Sequence, residues 1–79
     1  MGKSADHERP THVLLNERRE ALLRRLDNLP TRVRGHRGYR TASNLLNAKY
    51  RRAKPTARAA LLQTAQFMIE VLELLPSFL

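Results

Sequence analysis

The sequence predicts an all-α fold: a small three-helix domain with helices at about 12–28, 42–53 and 56–75, the first and third roughly antiparallel, assembled as a homodimer. Three observations carry that expectation. Leu15, Leu22, Leu26 and Leu29 follow 7-4-3 spacing, which lines one face of a helix. From Ala59 to Leu79 the chain is apolar and holds no Lys or Arg. Pro30, Pro55 and Pro76 stand where the periodic segments stop or restart.

Residues 1–10 read as a flexible tail ending at Pro10. The tail has no apolar stretch of the kind a secretory signal needs, and Asp6 stands where a myristoylation signal has Ser or Thr. Thr11 is placed to cap the first helix, whose Leu stripe is broadened by Val13, Leu14 and Leu23. Arg18, Arg19, Arg24 and Arg25 face Glu17, Glu20 and Asp27, an ordinary mixed surface. Asn28-Leu29-Pro30 ends the helix. Pro30, Gly35 and Gly38 then break any periodicity, so residues 30–40 read as a basic loop within the 11–79 domain.

Thr41 or Ser43 can cap the second helix, with Ala42, Leu45, Leu46, Tyr50 and Ala53 on its inner side. Asn44, Asn47, Arg51 and Lys54 recur at 3-4-3 spacing as a polar, basic stripe. Lys54-Pro55-Thr56 interrupts and restarts the helix. In the third helix, Leu61, Ala65, Met68, Leu72 and Leu75 mark one apolar line, and Leu62, Phe67, Ile69, Val71 and Leu74 fill most of the rest. Only Gln63, Gln66, Glu70 and Glu73 form a polar stripe. A helix apolar on nearly all sides must be covered on nearly all sides. The expected oligomer or partner interface is therefore Leu61, Met68, Ile69, Leu72 and Leu75, with Phe78 and Leu79 folding back after Pro76.

Composition supports a second copy. A core in a chain of 79 residues supplies only about 3–5 kcal/mol, so short chains add disulfides, metals or subunits. Cys is absent, which excludes disulfides and thiolate zinc sites. The formal net charge is +8, and no acid lies between Asp27 and Glu70. Composition bias explains why twelve of the fifteen cations are Arg, but it does not segregate the signs. A polyanionic partner does: nucleic acid, anionic lipid or an acidic protein. Gln63, Gln66, Glu70 and Glu73 argue against a membrane span in the last segment. The expected setting is soluble and cytoplasmic.

The cationic middle supplies the candidate site. Arg32, Arg34, Arg37 and Arg40 offer phosphate a planar bidentate fork, and Tyr39 gives an unpaired base a stacking surface. Asn44, Asn47 and Arg51 on one stripe suit base edges in a major groove, although a helix–turn–helix would put its reading helix second, directly before an apolar one here. Lys49, Arg52, Lys54 and Arg58 complete the anion-binding set, Arg58 beside the positive start of the third helix. The plain alternative is a solvated loop and an ordinary polar helix face. His7 and His12 are five apart and His36 sits among cations, so no metal ligand set is expected. Gly2-Lys3-Ser4 lacks the strand and Gly of a phosphate loop. No catalytic arrangement, metal or cofactor is expected, and no family's signature falls on these residues.

The functional expectation is a small non-catalytic nucleic-acid-binding protein, DNA or RNA, using Arg32 to Arg58. The alternative is an adaptor or inhibitor of the mobile-element or viral type, gripping an acidic or apolar protein partner. A third possibility, sequestering a small phosphorylated ligand, fits the charge but has no motif.

Overall fold

The computed structural model describes residues 11–78, and among them every regular element is helical. Helix α1 spans Thr11–Asp27, α2 Thr31–Arg34, α3 Arg37–Leu46, α4 Ala48–Arg52 and α5 Pro55–Leu74, with a 3-10 turn at Leu75–Ser77. The all-α class therefore holds. The predicted tail at 1–10 and the fold-back of Leu79 lie outside the described residues. Thr11 is itself helical, so the cap expected there also lies outside them.

The expected basic loop at 30–40 is instead helical. Val33 is fully buried and ties this segment to the core. Gly35 ends α2 with right-handed angles, φ −79° and ψ −9°, and the chain re-enters helix two residues later at Arg37. His36 caps α3, its Nδ1 accepting from the Gly38 N–H at 2.9 Å. Gly38 allows a close approach: a Cβ there would lie 3.1 Å from His36 Nδ1 and 3.3 Å from Leu72 Cδ2. The cap is thus His36, not Thr41 or Ser43. Thr41 lies inside the helix, donating to the Arg37 carbonyl at 3.2 Å.

The continuous helix expected at 42–53 is divided. At Asn47 the backbone leaves helical geometry, with φ −116° and ψ −95°, and α4 continues beyond it. The Asn47 side chain holds this break, donating to the Ser43 carbonyl at 2.8 Å. A local side-chain bond of this kind competes with the helical ladder.

Helical structure from Arg37 onward also changes the topology. Arg18 of α1 donates to Gln66 at 2.9 Å, and Arg25 donates to both carboxylate oxygens of Glu73 at 3.0 and 2.6 Å. Sequence numbers rise together along the two helices, so α1 and α5 run parallel, not antiparallel as expected. Arg19 meets Leu46 at the end of α3, while Arg34, just before α3, meets Leu29 at 3.1 Å. The α3–α4 leg therefore runs back between them, and the bundle is up-down-up. A loop could not have supplied that return leg. The Glu73 carboxylate, by accepting the Arg25 hydrogen bonds, raises the guanidinium pKa further above its ordinary value, with burial opposing.

The core is formed by Leu22, Leu26, Leu29, Val33, Ala42, Leu45, Leu46, Tyr50, Leu62, Ala65, Ile69 and Leu72. Fully burying an aliphatic side chain of this size contributes roughly 1.5–3 kcal/mol. In α5 the buried line is Leu62, Ala65, Ile69 and Leu72, rotated from the expected one. Leu61, Met68 and Leu75 pack half-buried at its edge. Ile69 and Leu72, expected at an interface, are inside the core. Phe78 does not fold back; it is 79% exposed. Among the described residues no helix is long and apolar enough to cross a membrane.

Candidate nucleic-acid interface

The last carbonyls of a helix lack intrahelical partners and form its negative end. Arg meets that need well, since its fork reaches two acceptors at once. Three chain ends in this bundle are closed this way. Arg34 closes α1, its Nε donating to the Leu29 carbonyl at 3.1 Å and its terminal nitrogen to the Asp27 carbonyl. Arg19 closes α3 through the Leu46 carbonyl and also donates to Asn47 Oδ1 at 3.2 Å. Arg58 closes α4 through the Tyr50 carbonyl at 3.1 Å and the Arg51 carbonyl at 3.4 Å. The guanidinium carbons of Arg19 and Arg58 also lie 5.3 and 5.0 Å from the Tyr50 ring centroid.

These contacts remove several residues from the predicted anion-binding set. Arg34 and Arg58 face backbone carbonyls of their own chain. Asn47 uses its amide on Ser43 and its oxygen on Arg19, so it is not free to read a base. Tyr39 packs half-buried against the core instead of standing free for stacking. Arg32 is exposed and reaches the Pro76 carbonyl at 3.4 Å. The anion seat expected at the start of α5 is narrowed: the N–H groups of Ala57 and Arg58 already donate to the Lys54 carbonyl at 2.8 and 3.2 Å.

What remains is more compact. Arg37, Arg40, Lys49, Arg51, Arg52 and Lys54 are exposed, and among the described residues their side chains form no hydrogen bond or ion pair. All lie on the return leg or its exit into α5. Arg37 and Arg40 share a shallow hollow on α3 with Thr41 and Asn44. Lys49 and Arg52 flank a second hollow with Ala53, Ala57 and Leu61, where α4 meets α5. Exposed guanidinium and ammonium groups keep their donors open to anions such as phosphate. Of the three expected base readers, Asn44 and Arg51 stay exposed, Asn44 beside Arg40.

Sequence reasoning missed Thr41 as a member of this face. Its signal was present, since residues 37, 40, 41 and 44 follow helical spacing once Gly35 and Gly38 are not taken as breakers. The role of Arg19 had no local signal, because its carbonyl partner lies 27 positions away. No protein-family model, curated protein or solved structure matches the chain.

Proposed function

We propose that this protein is a small, basic, non-catalytic nucleic-acid-binding protein of the cytoplasm, acting as a homodimer and holding phosphates along α3 and α4. One observation carries the reading: six cations, Arg37, Arg40, Lys49, Arg51, Arg52 and Lys54, are exposed on the return leg or its exit into α5, without a side-chain partner among the described residues. No acid between Asp27 and Glu70 competes for them locally. Contacts of this type position a protein on a nucleic-acid backbone and carry little sequence information. Asn44 and Arg51 are the residues able to add a base contact.

The test is binding of a short duplex and a single strand over a salt series. Each phosphate neutralised on a duplex adds about −0.9 to the slope of log affinity against log salt, so engagement of all six cations gives a slope of about −5. A flat salt dependence, or no binding at low salt, overturns the reading.

A second reading, an adaptor or inhibitor gripping another protein, is favoured by a different observation. Phe67 and Leu74 of α5 are exposed by 66% and 61%, and a protein partner would take them while its acids met the cationic leg. Retention of one acidic protein by the purified chain, insensitive to added nucleic acid, would favour it.

A further inference from the structure

Helix α5 is apolar on two opposite faces, and the bundle covers one. Its neighbours α1 and α3 enclose Leu62, Ala65, Ile69 and Leu72. On the far side Phe67, Val71, Leu74 and Phe78 follow 4-3-4 spacing and are exposed by 66, 43, 61 and 79%. Because α1 and α5 are parallel and both pack on the return leg, nothing in the chain's described part crosses this outer face.

Its area is that of the largest apolar patch on a typical monomer, a patch that is often a contact site. With a Phe ring presenting roughly 200 Å² when open, the two Phe leave about 300 Å² uncovered and the whole stripe on the order of 450 Å². Two such stripes face to face remove about 900 Å² before rim atoms are counted, close to the roughly 1,000 Å² a specific interface needs.

Charge selects what covers it. Two copies of a chain of net charge +8 repel wherever their cations meet. The helical stretch from Ala59 to Leu74 carries Glu70 and Glu73 and no cation, and Glu73 is already paired with Arg25. This is the face on which a second copy approaches without like-charge opposition. Its two edges also differ in sign. Glu70 is exposed on the α1 edge, accepting from Gln66 at 3.2 Å. On the α3 edge, His36 and Gly38 border the apolar hollow formed with Phe67 and Val71, and the unpaired Arg37 stands between them in sequence.

We propose that Phe67, Val71, Leu74 and Phe78 form the homodimer interface, packed against the same face of a second copy in parallel about a two-fold axis running along α5. A parallel two-fold brings unlike edges together, so Glu70 faces the partner's Arg37 on both sides. An antiparallel pair would bring like edges together, acid to acid and cation to cation. This interface rests on the homodimer part of the proposed function; it shares Arg37 with the cationic leg and leaves the other five cations to the nucleic-acid part.

The mass of the full chain, freed of nucleic acid and measured by light scattering at micromolar concentration, should be twice 9.1 kDa. Phe67→Ser with Leu74→Ser should give a single-chain mass while keeping the helical circular dichroism, since neither side chain is in the core. Glu70→Arg and Arg37→Glu should each raise the dimer dissociation constant roughly tenfold or more, and their combination should restore it. A single-chain mass for the unsubstituted protein overturns the proposal, whether the face then binds anionic vesicles, another protein or nothing. A dimer indifferent to the Ser substitutions overturns the interface and leaves dimerisation standing. A dimer strengthened by Glu70→Arg overturns the parallel orientation. Steep salt-dependent nucleic-acid binding by a monomer overturns the dimer alone; a dimer without such binding overturns only the nucleic-acid reading.

Discussion

Two sets of cations in this bundle share a residue type and nearly share a stretch of sequence, yet their surroundings are opposite. Arg19, Arg34 and Arg58 bury their donors against the carbonyl ends of α3, α1 and α4. Arg37, Arg40, Lys49, Arg51, Arg52 and Lys54 point away from the chain and meet nothing in its described part. The difference teaches that an acid-free run of cations is not by itself an unmet charge. Helix C-terminal carbonyls act as built-in anions, and part of the run is satisfied by them. The stapling set holds the fold, and the free set is left for a partner.

The comparison is broken most forcefully at Arg19. Replacing it by Ala leaves the Leu46 carbonyl and Asn47 Oδ1 without their charged donor and uncovers one side of Tyr50. Hydrogen bonds to charged groups contribute about 1.5–3 kcal/mol each in net terms, so urea denaturation should show a loss in that range. A loss below about 0.5 kcal/mol, the size typical of a bland surface change, would show that Arg19 belongs with the free set. The salt slope of nucleic-acid binding should not move.

His36 tests the same idea from the opposite helix end. Its Nδ1 accepts the Gly38 N–H that begins α3, the helix presenting Arg37 and Arg40. His36→Ala should cost about 1 kcal/mol, the usual cost of losing a side-chain cap, and His36→Asn should keep most of it. Equal stability of the two variants in a thermal melt would remove the cap from the account.

The fold class was legible because the Leu spacing in α1 and the continuous apolarity of α5 are both local. Leu22, Leu26, Leu29, Ala42, Leu45, Leu46 and Tyr50 were each expected inside, and they are buried. Residues 30–40 were misread because Gly35 and Gly38 look like breakers on paper. The reason for Gly38 lies across the bundle, at Leu72. The expected antiparallel course of α1 and α5 followed from that misreading, since without a return leg at 30–46 the parallel pairing is not available. In α5 the expected buried line was rotated from the observed one because a helix apolar on nearly all sides has only a narrow polar stripe to fix its phase. The candidate site was legible as a segment. Which cations in it are free was not, because that depends on carbonyls brought near only by folding.

Tyr50 sharpens the comparison by its exception. Its ring is buried beneath two guanidinium groups, but its hydroxyl is buried without a hydrogen-bond partner among the described residues. Arg19 and Arg58 satisfy carbonyls; neither meets this oxygen. Tyr50→Phe removes an unsatisfied polar atom while keeping the ring, so stability should hold or rise by up to about 1 kcal/mol. A loss of more than that on denaturant unfolding would mean that the hydroxyl has a partner after all.

The smallest effect on stability is the one that decides what the free set is for. Arg37→Gln with Arg40→Gln removes two exposed cations that hold no hydrogen bond or ion pair among the described residues, so unfolding free energy should stay within about 0.5 kcal/mol. Binding should change far more than folding. Losing two phosphate contacts should reduce the salt slope by about 2, weakening binding to all sequences alike. A stapling variant should do the reverse, lowering stability and leaving the slope alone. If the Gln pair melts early with its salt slope intact, the division between the two sets is wrong. In that case the cationic leg is holding the bundle together and not presenting charge to a polyanion.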